Sequence, residues 1–352
     1  MSSRMKYGRN GGLLGMKFKL GDICCRLSSG KGIPAKFIEE TGEFPVYGGN
    51  GLRGYTSKSN FSGECAIIGR QGAFCGNVRY FSGEAYMTEH AIVVCANENH
   101  NTRYLSYLLE TMKLGRLSGQ SAQPGLSVKV LAQQEVNMPP LEQQKKVVNI
   151  LSTIESKIEL NNKINENLEQ QAQALYHHMF IENISSEWKE GTLSDIANIT
   201  MGQSPSGSSY NEHGEGTIFF QGRAEFGFRF PSIRLFTTEP KRMACANDVL
   251  MSVRAPVGDL NVAHTDCCIG RGLAAIHSKT GQKSFVLYTM FALKDQLNVF
   301  NGEGTVFGSI NRNSLNDMPI LIPSSDSISA FEDIVTPIDA AIRNNYDEIC
   351  SL

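Results

Sequence analysis

Long apolar runs are missing from this chain. None approaches the roughly 20 residues a membrane helix needs, so no membrane partner is expected. The N-terminal stretch has basic residues but no apolar core, which argues against a secretory signal. An excess of one charge is missing too, with 33 Lys and Arg against 35 Asp and Glu. Composition therefore gives no sign of a polyanionic partner, although a basic face can sit on a neutral protein. No CxxC occurs among the nine cysteines, Cys24, Cys25, Cys65, Cys75, Cys95, Cys245, Cys267, Cys268 and Cys350. Scattered, odd-numbered thiols imply a reducing, hence cytoplasmic, setting. They read as small buried residues rather than metal ligands or catalytic thiols. Catalytic signatures are absent as well. There is no phosphate loop of the G-x-x-x-x-G-K-[ST] form, because the run around Lys31 lacks its frame, and no G-x-G-x-x-G follows a strand. No acidic-plus-lysine nuclease cluster and no Asn-Pro-Pro-aromatic methylation motif stands out, and the seven histidines are scattered. No catalytic residue, metal or cofactor is expected of the chain itself.

What is present is one long helix signal over residues 141–180. Its stripe runs through Val147, Leu151, Ile154, Ile158, Asn161, Asn165, Leu168, Ala172, Leu175 and Met179. The steps alternate four and three, the 3.5-residue repeat of a coiled-coil seam. Neither Pro nor Gly interrupts it. At about 1.5 Å per residue the helix is on the order of 60 Å long, and a stripe that narrow needs a partner helix.

The chain supplies one by repeating itself. Leu20, Asp22 and Ile23 recur as Leu193, Asp195 and Ile196. The apolar run before Arg70 recurs before Arg254, the Gly119 to Gly125 loop recurs as Gly302 to Gly308, and Val136 recurs as Ile320 at an offset of 184. Carrying that offset into the C-terminus gives a second seam through Phe331, Val335, Ile338, Ile342, Asn345, Ile349 and Leu352. The order is globular region, long helix, globular region, shorter helix. Two such helices are expected to pack antiparallel, because the chain must return. Pro337 falls early in the second helix, where a kink or a late start is expected. By the same offset Leu352 is equivalent to Leu168, which leaves residues 172–180 without a counterpart.

The globular regions are rich in short strands and glycine turns. Their loops carry recognition side chains rather than catalytic ones. In the first these are Lys31, Lys36, Tyr47, Asn50, Arg53, Tyr55, Lys58, Arg70, Gln71 and Arg79. In the second they are Gln203, Tyr210, Gln221, Arg223, Arg229, Arg234, Lys241, Arg242, Arg254 and Arg271. Arg, Gln and Asn pair with base edges, Lys and Arg neutralise phosphates, and glycine turns let backbone N–H groups approach them. Arg70 and Arg254 are read as equivalent positions. An ordinary solvated or salt-bridged arginine accounts for any one of these residues taken alone.

The runs from Pro139, from Ile150 and from Asn167, with the entry at Trp188, make the chain resemble the DNA-specificity subunit of type I restriction–modification enzymes. The resemblance covers nearly everything from residue 17. It implies an α+β fold of two tandem mixed α/β target-recognition domains separated by two long helices that form an antiparallel coiled coil. Expected boundaries are a disordered extension over 1–16, domains over 17–140 and 184–326, a spacer helix over 141–183 and its partner over 327–352. Each domain is implied to bind one half of a split double-stranded DNA site. The implied DNA-binding set is Lys31, Tyr47, Asn50, Arg53, Lys58, Arg70, Gln71, Arg79, Gln221, Arg223, Arg229, Arg254 and Arg271. The helices are implied to set the half-site spacing and to dock two methyltransferase (modification) subunits, with a restriction/translocase subunit joining for cleavage. AdoMet, ATP and Mg²⁺ then belong to those partners. Two other readings stay open on the residues alone, a self-contained methyltransferase or nuclease and a scaffold that assembles partners without DNA.

Overall fold

The computed structural model describes residues 15–118, 125–302 and 308–352. They fall into two compact units that divide between residues 157 and 158. The extension expected over 1–16 lies mostly outside the described residues. So does most of the repeated Gly119–Gly125 and Gly302–Gly308 loop pair. Among the described residues no helix is long and apolar enough to cross a membrane.

The first unit opens on β1 (Met16–Lys19) and a helical turn, Leu20–Ile23. Met16, read from sequence as part of the extension, is thus already in a strand. Six strands follow as one sheet: β2 (Cys24–Ser29), β3 (Phe44–Gly48), β4 (Gly51–Thr56), β5 (Phe61–Gly69), β6 (Val78–Met87) and β7 (Ala91–Ala96). Their spatial order is β2-β7-β5-β6-β3-β4. Alternation along the strands builds a core on each face. Ala66, Ile68, Ile92 and Val94 enter one core, whereas Cys65, Ile67 and Val93 enter the other. The helix α1 (Thr102–Thr111) covers the first core with Leu105 and Leu109, one turn apart. Its N-cap Asn101 accepts a hydrogen bond from Tyr104 N at 2.8 Å. In the β5–β6 hairpin Gly63 faces Gly83, with φ of +117° and +131°. Only glycine adopts such angles without strain, so the ribbon can coil at that pair. The unit closes with α2 (Val128–Ala132), β8 (Glu135–Met138), which pairs with β1, and the start of α3 (Leu141–His177).

The second unit takes the rest of α3, which ends in a π turn, His178–Glu182. Next come β9 (Lys189–Thr192) and the single turn α4 (Leu193–Ile196). One sheet joins β10 (Ala197–Met201), β18 (Leu273–Ser278), β15 (Val249–Ser252) and β16 (Leu260–Val262) in that order. A second joins β11 (Tyr210–Asn211), β13 (Phe236–Thr237), β12 (Thr217–Phe220), β17 (Cys267–Ile269) and β14 (Met243–Ala244). The chain then runs through α5 (Lys283–Ala292), α6 (Lys294–Asn298), α7 (Arg312–Asn316), β19 (Pro319–Ile322) and α8 (Ser325–Ser351). Apolar nearly all round, α5 is an internal helix whose Phe285, Val286, Leu287, Tyr288 and Met290 are buried.

The repeat survives at the level of single hydrogen bonds. Leu20 N donates to Gln134 O (2.8 Å) and Leu193 N to Met318 O (2.9 Å), so the acceptors keep the offset of 184. Gly69 faces Ala91 in the first unit as Ser252 faces Leu273 in the second. That register corrects one reading. Arg70 O accepts from Leu126 N, whereas Val253 O accepts from Ile310 N. Isolated bridges join Gln71 to Gly125 and Arg254 to Ser309. Arg254 therefore matches Gln71, and Arg70 matches the buried Val253.

Within the second unit α8 runs antiparallel to α3. Tyr176 meets Phe331 with ring centroids 5.7 Å apart, Asn165 accepts from Asn345 at 2.8 Å, and Asn161 donates to Glu348 at 2.9 Å. Phe331, Val335 and Ile342 are buried in this seam, with Leu168 and Ile338 packed beside them. Ile158 and Ile349 are half-buried. Two expectations fail here. Residues 172–180 are covered, because antiparallel pairing sets the start of α8 against them: Ala172, Tyr176 and Phe180 are buried with Phe331. Pro337 lies inside α8 on its exposed side, so the late start that was one of its two expected outcomes does not occur. In the first unit's part of α3, Ile154 is half-buried while Val147 and Leu151 are exposed.

Candidate nucleic-acid interface

In the first unit the recognition residues sit on segments that converge on one turn, residues 87–90. Lys31 N donates to Met87 O (2.9 Å), Thr88 N to Tyr47 O (2.9 Å) and Arg70 N to His90 O (2.9 Å). Asn60, two residues beyond Lys58, donates from Nδ2 to Met87 O at 3.0 Å. Arg70 Nη1 reaches Glu89 O at 3.3 Å, and Gln71 Oε1 lies 3.1 Å from His90 Nδ1. The glycine turn over 48–51 stacks against the same place. A Cβ on Gly49 would come within 3.0 Å of His90 O, one on Gly48 within 2.7 Å of the Arg53 side chain, and one on Gly51 within 3.0 Å of the Arg79 guanidinium. Those glycines make room for the two arginines. Lys31, Asn50, Arg53, Lys58, Gln71 and Arg79 are exposed, and Tyr47 and Arg70 are half-buried. Tyr47 stacks on Phe81 at 5.1 Å, and burial holds its phenol above the ordinary range. It stays a neutral hydrogen-bonding group.

The second unit repeats the device around residues 270–272. Gly270 N donates to Phe220 O (2.8 Å), Gly272 N to Gln221 O (3.3 Å), Val253 N to Gly272 O (2.9 Å) and Gln203 N to Ile269 O (3.0 Å). Arg271 N donates to Ser204 Oγ at 3.2 Å. Gln203, Gln221, Arg254 and Arg271 are brought to this turn with exposed side chains.

Four second-unit readings change. Arg229 is buried, with Nη2 3.1 Å from Glu169 and Nη1 3.4 Å from Asp339. It also donates to Tyr288 Oη at 3.1 Å, so it holds the unit together and offers nothing to a duplex. Arg223 is committed to Asp259 at 2.8 Å, and Arg234 to Glu212 and Glu225. Tyr210 stacks on Phe219 at 4.9 Å and donates to Pro205 O, a packing role. Sequence reading also missed residues that tie α1 to α3. Gln144 is fully buried, accepts from Asn101 N (2.8 Å) and donates to Pro139 O (2.7 Å). Arg103 of α1 reaches Glu155 of α3 at 2.6 Å. A polar residue in a helix's first turn gave no sign of burial.

Nothing in this arrangement resembles an acid–base or nucleophile site. Burial pushes the Cys24, Cys65 and Cys267 thiols up to about 12, which leaves them unreactive. What the geometry offers is two copies of one device: a tight turn that gathers Arg and Gln side chains. A family model described as type I restriction modification DNA specificity domain matches residues 15–170 and again 185–348. The chain belongs to this family. A Methanocaldococcus jannaschii protein described as a type I restriction enzyme MjaX specificity subunit is 33% identical over 295 residues, 76% of this chain and 69% of that one. The Escherichia coli type I restriction enzyme EcoprrI specificity subunit is 38% identical over 156 residues, 43% of this chain and 38% of its own. The fold matches that of a type I restriction–modification system S subunit from M. genitalium, with a TM-score of 0.68 at 15% identity over 99% of this chain and 96% of that one. Specificity-subunit membership implies DNA sequence recognition.

Proposed function

We propose that the chain is the non-catalytic DNA-reading subunit of a type I restriction–modification complex. Each globular domain, 17–140 and 184–326, reads one half of a split double-stranded target. The observation that carries this reading is the matched pair of turns, 87–90 and 270–272, each gathering amide and guanidinium side chains from separate loops. Lys31, Tyr47, Asn50, Arg53, Lys58, Arg70, Gln71 and Arg79 serve the first half-site; Gln221, Arg254 and Arg271 serve the second. Two turns of the same construction on different side chains suit two different sequences read in the same manner. Arg and Gln supply direct readout, and Lys supplies sequence-independent phosphate attraction.

Helix residues 141–183 and 327–352 act as the spacer that fixes the gap between half-sites. Val147, Ile150 and Leu151 expose apolar surface on α3. Such surface suits docking of methyltransferase subunits, two in the full complex, with a restriction/translocase subunit joining for cleavage. AdoMet, ATP and Mg²⁺ chemistry then resides in those partners, and the setting is cytoplasmic. The test is footprinting of the chain with its methyltransferase on a random DNA library. A two-block protected motif with affinity falling steeply as salt rises is expected. Equal affinity for all sequences, or binding unchanged by charge reversal at Arg79 and Arg254 together, would leave a protein-assembling scaffold instead.

A further inference from the structure

Cys245, Asp248 and His277 bring a thiol, a carboxylate and an imidazole together on the second unit, and DNA reading uses none of them. Their donor atoms all lie within 4.8 Å of one another. Cys245 and Asp248 close one tight turn ahead of β15. Asp248 N donates to Cys245 O (3.0 Å) and Cys245 N to Asp248 Oδ2 (2.8 Å). Between them Asn247 has φ of +73°, a left-handed conformation that asparagine tolerates. His277 arrives on β18, one residue past the Val249–Ile276 ladder pair, with Nδ1 2.6 Å from Asp248 Oδ1. Asp266 Oδ1 accepts from Ala246 N at 2.8 Å, which adds a second carboxylate against the turn. Asp248 is buried, while Cys245 and His277 are exposed, so an ion has an open path.

We propose that these three side chains form a site for one divalent cation of the zinc type, with water in the fourth position. The donor set decides the class. A thiolate with an imidazole favours zinc-like ions, whereas calcium and magnesium take oxygen ligands. Metal–ligand bonds of about 2.0–2.3 Å set tetrahedral donors roughly 3.3–3.7 Å apart, so Cys245 must turn inward while His277 and Asp248 give up their 2.6 Å hydrogen bond and part, movements within reach of rotations of the exposed Cys245 and His277 side chains. Binding forms the metal–sulfur bond and releases the thiol proton to solvent. The ion would staple the turn before β15 to β18, at the opposite end of those strands from Arg254 and Arg271. Among the described residues the first unit has no such cluster. One residue past the ladder pair Ala66–Val94 it places Cys65 and Cys95, whose thiols burial pushes up to about 12 and about 11. The sequence showed no metal signature because the ligands come from a Cys-x-x-Asp turn and a histidine on another strand, not from a CxxC.

The test is titration of the metal-free full chain with Zn²⁺, and with Co²⁺ as the spectroscopic probe. Expected are one tight equivalent, a thiolate-to-cobalt charge-transfer band and a rise in melting temperature. Cys245→Ser should abolish the band while leaving metal-free melting close to the parent, and His277→Ala, which also removes the 2.6 Å partner of buried Asp248, should weaken Zn²⁺ binding at least tenfold. Absence of binding to the parent chain, or unchanged affinity and band in both variants, would overturn the proposal.

Discussion

The two units grip the long helix differently. In the first, Arg103 and Tyr107 of α1 both reach Glu155 of α3, at 2.6 and 2.7 Å. This tie is at the surface, with the Arg103 and Glu155 side chains 29% and 49% exposed. In the second, Arg229 and Glu169 are only 4% and 15% exposed, and Asp339 of α8 joins them. The chemistry is the same and the solvent is not. Water screens the first ion pair and competes for it, so it adds little. Low dielectric makes the second one costly to break, because a lone buried charge remains. The first unit compensates with a neutral tie, buried Gln144, between the loop before α1 and the start of α3.

The largest effect is therefore expected from Arg229→Ala, which strands two carboxylates. Denaturant unfolding should show a loss of roughly 3–5 kcal/mol in the second unit. A loss below about 1 kcal/mol would put the buried cluster on a par with the surface tie. The same cluster has a pH signature. Burial holds Glu169 above its usual 4.5, outweighing Arg229. The folded state then keeps that proton longer than the unfolded chain, so this group's contribution is full below 4.5 and is lost as pH rises through the raised value. Glu169→Gln should gain on the parent as pH climbs above 4.5; parallel stability curves would refute this.

Next in size is Gln144→Ala, which leaves Asn101 N and Pro139 O without their partner. About 1–3 kcal/mol should be lost from the first unit, read by hydrogen exchange of α1. Protection of α1 identical to the parent would remove Gln144 as the anchor. Gln71→Ala and Arg254→Ala compare the reading turns at matched positions. Each should cost about 1–3 kcal/mol in binding, confined to its own half-site. Equal loss at both half-sites for either variant would break the two-reader picture. Smallest is Arg103→Ala, expected below about 1 kcal/mol despite its stacking on Tyr80 at 4.5 Å.

The seam and the repeat were legible because both are periodic, and periodicity survives without coordinates. The 184-residue offset appears again in the acceptors Gln134 and Met318. Its over-extension explains the errors. Equivalence by offset is not contact: Leu352 matches Leu168 in the repeat, yet antiparallel pairing sends Phe331 to Tyr176 and Phe180. Likewise a slip of one residue made Arg70 the twin of Arg254. In a strand one residue is a change of face, so the register of the ladder had to decide that Gln71 is the twin. Arg229 was misread for a different reason. Its two carboxylate partners lie on α3 and α8, distant in sequence, and an isolated arginine in a loop carries no mark of them.

The central claim is that two units of one design read two separate half-sites. Methylome sequencing of hosts that carry the methyltransferase with either the parent chain or a chain whose residues 17–140 come from another family member tests it directly. The account predicts a motif of two blocks with a fixed gap, in which the exchange alters one block and leaves the other block and the gap unchanged. An uninterrupted motif, or an exchange that rewrites both blocks, would contradict it.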